Sequence, residues 1–153
     1  MNKHIKSRMQ HEIGSLYQTY NNINVVFQPE KNTHKITIQN NKDTIVFLIN
    51  DMMFPFHPPN LIYINDVLYR DYIKTPTYLQ PYMVKLNSSF CFCCDTVINK
   101  QIWQPAHGLM HIMNELKFVK TTIYKATILH LVDQIKEKNG LPEFFDVIED
   151  FLM

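Results

Sequence analysis

Strand-like periodicity in this sequence is confined to the middle of the chain, between helical patterns at both ends. Apolar residues recur at helical spacing over residues 3–20, which predicts an amphipathic helix. Three runs in the middle predict strands, because His34–Gln39 alternates and both Thr44–Ile49 and Leu61–Ile64 are rich in β-formers. Since the two element types are segregated, we predict an α+β fold.

The connections between these strands differ in kind. Asn40–Asp43 predicts a tight turn after the first strand, and we expect the second strand to be central and buried on both faces. Phe54–Pro59 contains three prolines that cannot join a ladder, so it predicts an extended connection. Asp66–Phe90 has no sustained period and predicts a long loop, with one short strand near Tyr82–Lys85.

Helical periodicity returns in the last third of the chain. Apolar positions over residues 109–116 and 123–135 predict two helices, the second ending near Asn139-Gly140. A third helix is predicted to begin near Pro142. With 153 residues and no internal repeat, we expect a single domain spanning residues 1–153.

Composition excludes several classes of protein. An apolar fraction of 46% and a charged fraction of 19% are typical of a globular chain. The net charge is +1 and no basic stripe is visible, so we expect no nucleic-acid partner. The apolar runs are short and no secretory leader is evident, so we expect no membrane association and a cytoplasmic or nuclear location.

All three cysteines and the only tryptophan lie within residues 89–108. Cys91, Cys93 and Cys94 make a poor disulfide framework, because adjacent cysteines pair only with strain. One interpretation of the cluster is a reactive thiol. Another is that the cysteines are small apolar residues on a strand, where Cys91 and Cys93 would share a face.

A zinc site is a further interpretation of the same cluster, with His107 or His111 as the fourth ligand. It is disfavoured because the sequence has no paired C-x-x-C spacing. We therefore expect no metal. Trp103 is predicted to anchor the core and its own loop rather than to take part in catalysis.

Three segments of the chain resemble ubiquitin-conjugating enzymes. "FPFHPPNLIYI" (54–64) is similar to the family's Tyr-Pro-Phe-x-Pro-Pro segment, and "CCDTVINKQIWQPAHGLMHIMNEL" (93–116) to its Cys-Leu-Asp and Trp-Ser-Pro-Ala elements. "RMQHEIGSL" (8–16) resembles the family's first helix. The segments occur in the family's order. The resemblance implies the ubiquitin-conjugating-enzyme fold: an N-terminal helix, an antiparallel sheet of about four strands, and C-terminal helices.

The resemblance also implies an activity without a cofactor. In register with the family's Cys-x-Asp, Cys93 would be the nucleophile that carries ubiquitin or a ubiquitin-like protein as a thioester. The modifier would come from an activating enzyme and pass to a lysine of a target protein, usually with a ligase. The chain would then be a transferase.

One element of the family pattern is missing. The family carries His-Pro-Asn before its cysteine, whereas Lys85 stands eight residues before Cys93 and no such motif occurs. Asn87 is the nearest candidate for oxyanion support, although a turn residue is the stronger interpretation. The alternative function is therefore a weak or inactive variant that binds ubiquitin or a partner enzyme non-covalently. A related non-enzymatic interaction domain is a further alternative.

Partner surfaces follow from the resemblance as well. In the family the first helix meets the activating enzyme, and ligases grip the proline-rich loop and the loop after the tryptophan. Phe56 would be the apolar anchor for the ligase, unless it belongs to the core. The predicted partner-binding residues are Lys6, Arg8, Phe56, His57, Pro58, Gln104, Pro105 and Ala106.

Overall fold

The chain forms two compact units in the computed structural model. The first comprises Met1–Tyr72 with Thr96–Glu115, and the second Ile73–Asp95 with Leu116–Met153. The prediction of one domain over the whole length stays a prediction. The structure describes residues 3–86, 88, 91–139 and 142–153, and their side chains except those of residues 3–6, 142–145 and 149.

The described elements follow the order helix, antiparallel strands, helices. Helices α1 to α6 span Lys3–Thr19, Tyr69–Tyr72, Gln80–Lys85, Phe92–Asp95, Leu109–Asn139 and Pro142–Leu152. Strands β1 to β5 span Ile23–Gln28, Thr33–Asn40, Asp43–Asn50, Leu61–Ile64 and Val67–Leu68. Pro29–Lys31 and Thr77–Leu79 form short 3-10 turns.

The first unit contains the whole sheet, in which β1 to β5 pair antiparallel in sequence order. The β2–β3 hairpin is set by the turn at Asn41, whose φ of 55° suits a tight hairpin turn. The register places Ile36 opposite Phe47 and Ile38 opposite Ile45, and all four side chains are buried. One face of this hairpin therefore supplies the centre of the core.

The second unit is made of helices. It contains α3, α4, α6 and the part of α5 from Leu116 onward, while α5 up to Glu115 belongs to the first unit. The Tyr82 hydroxyl of α3 donates to Asp133 Oδ2 of α5 at 2.7 Å. The ring of His130 lies against Tyr82, with centroids 5.5 Å apart, and these contacts join α3 to α5.

The structure confirms the α+β class, the N-terminal helix, the antiparallel sheet and the C-terminal helices. The sheet has five strands rather than about four, and β1 was not predicted. Its side chains are mostly exposed, so the sequence carries little apolar alternation there. Pairing along the length of β2 determines the conformation of β1 instead.

Three further expectations are corrected. Tyr82–Lys85 lies in helix α3 rather than in a strand, and the expected loop also contains α2 and β5. Strand β3 is central but alternates buried with half-buried residues, so it is not buried on both faces. The two helices expected over residues 109–135 are one continuous helix, α5, in which the hydroxyls of Thr121 and Thr122 donate to carbonyls one turn back.

Among the described residues, no helix has both the length and the apolar character needed to cross a bilayer.

Candidate functional site

The three cysteines converge at the start of helix α4 in the second unit. Cys91 Sγ lies 2.6 Å from Cys93 Sγ, and Cys93 Sγ lies 3.8 Å from Cys94 Sγ. All three sulfurs lie within 4.8 Å of one another, and none of the three forms a disulfide. The turn of helix produces this convergence. An extended strand would not, since successive strand residues face opposite ways and Cys94 would point away from Cys91 and Cys93.

Phe92 fixes the orientation of this helical turn. Its side chain is buried and meets the ring of Phe118 edge-on, with centroids 5.8 Å apart. With Phe92 turned inward, Cys91 and Cys93 are half-buried and Cys94 is exposed. The cysteines therefore lie at the surface in a helical turn, in place of the strand considered from the sequence.

The two half-buried thiols differ in acidity. Burial raises the pKa of Cys91, but hydrogen bonds from Cys93 and from the backbone of Thr75 lower it by more, so it lies below the usual thiol value. The hydrogen bond with Cys91, together with burial, raises the pKa of Cys93 to about 12. Of the two thiols, Cys91 is therefore the one whose pKa favours ionisation, and Cys93 is the one whose pKa favours the protonated form.

In the first unit, Glu115 of α5 holds the residues that follow the cysteine segment. Its Oε1 accepts from the hydroxyls of Tyr69, at 2.7 Å, and Thr96, at 2.5 Å. Its Oε2 accepts from the Val97 amide at 2.6 Å. Sequence reasoning missed this group, because a single glutamate in a helix carries no pattern that distinguishes it from a solvent-facing one.

The proline-rich connection and the tryptophan loop meet in the same unit. The Trp103 indole Nε1 donates to the Pro55 carbonyl at 2.7 Å. Its ring lies beside that of Phe54, with centroids 6.1 Å apart, and both side chains are buried. Trp103 therefore anchors its loop, as its sequence context predicts.

The first helix joins this loop through a buried carboxylate. Glu12 Oε2 accepts from the Leu109 amide at 2.8 Å, and its Oε1 pairs with Arg8 Nε at 2.7 Å. Arg8 Nη2 also donates to the His107 carbonyl at 3.0 Å. A Cβ at Gly108 would collide with the Glu12 carboxylate, so a larger residue there would displace this side chain from its present contacts.

Beside the proline-rich connection lies an open cleft of about 620 Å³ in the first unit. Arg70 and Lys100 contribute positive charge to its lining, and the described lining contains no carboxylate. His57 and Pro58 form part of its wall. The cleft is shallow and its cations are exposed, so it specifies no ligand.

The expected partner-binding residues lie in the first unit, and most are accessible. Phe56 is 67% exposed, which excludes the core interpretation, and Pro58 is half-buried. Arg8 is engaged by Glu12 and the His107 carbonyl. The Lys6 side chain and the whole of Asn87 lie outside the described residues. The exposed remainder comprises His57, Gln104, Pro105 and Ala106.

Comparison with known proteins finds no family model, no curated protein and no solved structure that matches this chain. A functional assignment therefore has to rest on the residues and contacts described above.

The Trp103 hydrogen bond yields a first prediction. Trp103→Phe keeps an aromatic ring but leaves the Pro55 carbonyl without its donor, so the free energy of unfolding should fall by about 1–3 kcal/mol. Urea unfolding followed by circular dichroism measures this change. The exposed neighbour Gln104→Ala should change it by less than about 0.5 kcal/mol. Equal stability of Trp103→Phe and the parent would contradict an anchoring role for the indole.

The Tyr69–Glu115 bond yields a pH prediction. Burial, followed by the charge of Glu115, raises the pKa of Tyr69 well above its usual value. Because the raised pKa favours the protonated hydroxyl, this stabilisation is complete below about pH 10, the pKa in the unfolded chain, and is lost as pH rises further. Tyr69→Phe should cost about 1.5–3 kcal/mol at neutral pH and flatten the decline above about pH 10.

Urea titrations across the alkaline range measure that decline. Tyr124→Phe is the matched control, since Tyr124 is 67% exposed, and it should leave both the neutral stability and the alkaline slope unchanged. An equally steep alkaline slope in Tyr69→Phe and the parent would show that Tyr69 does not cause it.

Proposed function

We propose that this chain is a divergent ubiquitin-conjugating enzyme with the fold of that family, which accepts ubiquitin or a ubiquitin-like protein on Cys93. The observation that supports it best is that the three resembling segments are linked by hydrogen bonds. Trp103 binds the carbonyl of Pro55 in the proline-rich segment, and Glu12 of the first helix accepts from the Leu109 amide. These contacts bring parts of the three segments together in the first unit, as the proposed fold requires.

The proposed reaction is an acyl transfer in two steps. The Cys93 sulfur attacks the carbonyl carbon of the thioester held by the activating enzyme, forming a new C–S bond as the old one breaks. The departing thiolate of the activating enzyme takes up a proton. In the second step a lysine amine of the target attacks the same carbon, an amide forms, and Cys93 leaves and regains a proton.

The pair of half-buried thiols suits the first step. Cys93 must lose its proton as it attacks, and the Cys91 sulfur lies 2.6 Å away. The lowered pKa of Cys91 favours its thiolate form, and at this distance that thiolate is the nearest base for the proton among the groups described around Cys93. Cys91 then acts as the general base and Cys93 as the acyl carrier.

The proposed partner surface consists of exposed side chains in the first unit. Phe56 offers an apolar anchor for a ligase, and the exposed residues after Trp103 offer a second contact. Arg8 is the weakest of these assignments, because its guanidinium is already held by Glu12. A cytoplasmic or nuclear location belongs to the same proposal, since activating enzymes and ligases work there.

Two observations favour the alternative of a non-covalent scaffold. A Cys93 pKa of about 12 leaves little thiolate near neutral pH. The sequence also lacks the His-Pro-Asn motif. In this alternative the fold and the exposed Phe56 surface are kept for binding ubiquitin or a partner enzyme, without thioester chemistry.

A charging assay tests the proposal and distinguishes a transferase from a non-covalent scaffold. With activating enzyme, ATP and a panel of modifiers, the parent should form an adduct that a thiol reductant removes. Cys93→Ala should abolish the adduct, whereas Cys91→Ala and Cys94→Ala should retain it, with slower formation in Cys91→Ala because the general base is lost. Loss of the adduct only in Cys91→Ala would assign the role of acyl carrier to Cys91, the more acidic thiol. No adduct with any modifier would favour the scaffold.

A second assay concerns the missing asparagine. Aminolysis passes through an oxyanion, and losing one donor there typically costs about a hundredfold in rate. The charged chain should therefore discharge to free lysine about a hundredfold more slowly than a conjugating enzyme that has the motif. Single-turnover discharge of the parent and Asn87→Ala measures this. Fast discharge that collapses in Asn87→Ala would assign the oxyanion donor to Asn87.

A further inference from the structure

The three thiols form the only cluster of metal-ligand side chains found among the described residues. Their sulfurs lie within 4.8 Å of one another, and they come from four consecutive positions on one turn. No histidine or carboxylate of the described residues belongs to the group. The donor set is therefore purely sulfur, and it contains three donors.

The spacing of the sulfurs suits a three-coordinate metal. A thiolate sulfur lies about 2.3 Å from a bound metal ion such as zinc. Three sulfurs arranged in a plane around one such ion therefore lie about 4.0 Å from one another. The Cys93–Cys94 separation of 3.8 Å already fits this value. Cys91 would have to move away from Cys93 by about 1.4 Å, from the present 2.6 Å. Because Cys91 precedes α4, this movement leaves the helical turn intact.

The chemistry of the donors selects the metal. Soft thiolate ligands favour monovalent copper, whereas structural zinc almost always takes four ligands, and the described residues bring only three together at this place. An ion can also reach the site, since Cys94 is exposed and the other two are half-buried. We propose that Cys91, Cys93 and Cys94 form a trigonal site for a single monovalent copper ion.

This inference departs from the sequence-based expectation of no metal and does not depend on the proposed transferase activity. On binding, each sulfur that is still protonated gives its proton to solvent, and no electron is transferred. Copper on the Cys93 sulfur would occupy the atom that the acyl group needs. Copper and thioester would therefore exclude each other.

Anaerobic titration of the reduced full chain with Cu(I), against bicinchoninate as a competing chelator, tests the site. One ion per chain should bind, with a thiolate-to-copper charge-transfer band in the ultraviolet. Cys91→Ser, Cys93→Ser and Cys94→Ser should each lower the affinity more than about 100-fold, since losing even an outer-shell partner costs 10–100-fold. Met53→Leu, which removes an exposed sulfur outside the cluster, should bind as the parent does.

Several results would overturn the proposal. These are undiminished affinity in any one of the three cysteine variants, a stoichiometry other than one, or tighter binding of Zn(II) than of Cu(I). X-ray absorption spectroscopy of the copper-loaded parent identifies the atoms bound to copper without the need for a variant. Three sulfur neighbours at about 2.3 Å are expected, and nitrogen or oxygen neighbours would contradict the site. Charging assays play no part in either measurement, so their failure leaves this result intact.

Discussion

The buried carboxylate of Glu12 is the interaction on which the arrangement of the first unit depends. A charge removed from water has to be paired and hydrogen-bonded, and Glu12 obtains both from Arg8 and the Leu109 amide. Leu109 is the first residue of α5, so the carboxylate occupies the end of the helix where backbone amides lack partners. Gly108 leaves room for the carboxylate in this position, and a Cβ there would displace it. One side chain thus fixes both the first helix and the beginning of the longest one.

Position and protonation together define the chemistry of the cysteine segment. Phe92 turns inward and leaves three thiols on one side of a short helical turn. Two of these sulfurs, Cys91 and Cys93, lie 2.6 Å apart and differ in acidity, because the pKa of Cys91 is lowered and that of Cys93 is raised. Such a pair can transfer a proton during acyl transfer, and the three thiols together can bind a soft ion. The two proposals use the same atoms but different properties of them.

Sequence patterns predicted the elements whose local signals agree with their tertiary environment. The β2–β3 hairpin is an example, since alternation and turn residues coincide at Asn40–Asp43. Sequence patterns failed where strand pairing or side-chain contacts decide the conformation. Strand β1 is one case, since its side chains are mostly exposed. Tyr82–Lys85 is the other, since the Tyr82 hydroxyl donates a hydrogen bond to Asp133. The cluster of cysteines was visible in the sequence, but its geometry was not. The same three positions point in different directions on a strand and on a helical turn, and the sequence alone did not decide between the two. The resemblance predicted Cys93 and its partner surfaces, and these functional roles stay predictions.

Strand β1 carries a consequence for how copies of this chain behave toward one another. It is the first strand in the order of the sheet, and it leaves Val26 and Phe27 more than two fifths exposed. A strand at this position presents backbone groups that a strand of another molecule can extend, and apolar side chains strengthen such contacts. Pro29 follows directly and cannot donate a backbone hydrogen bond to a ladder, so the strand ends after six residues. A strand of another molecule could therefore pair with this edge only over that short length, which limits aggregation there.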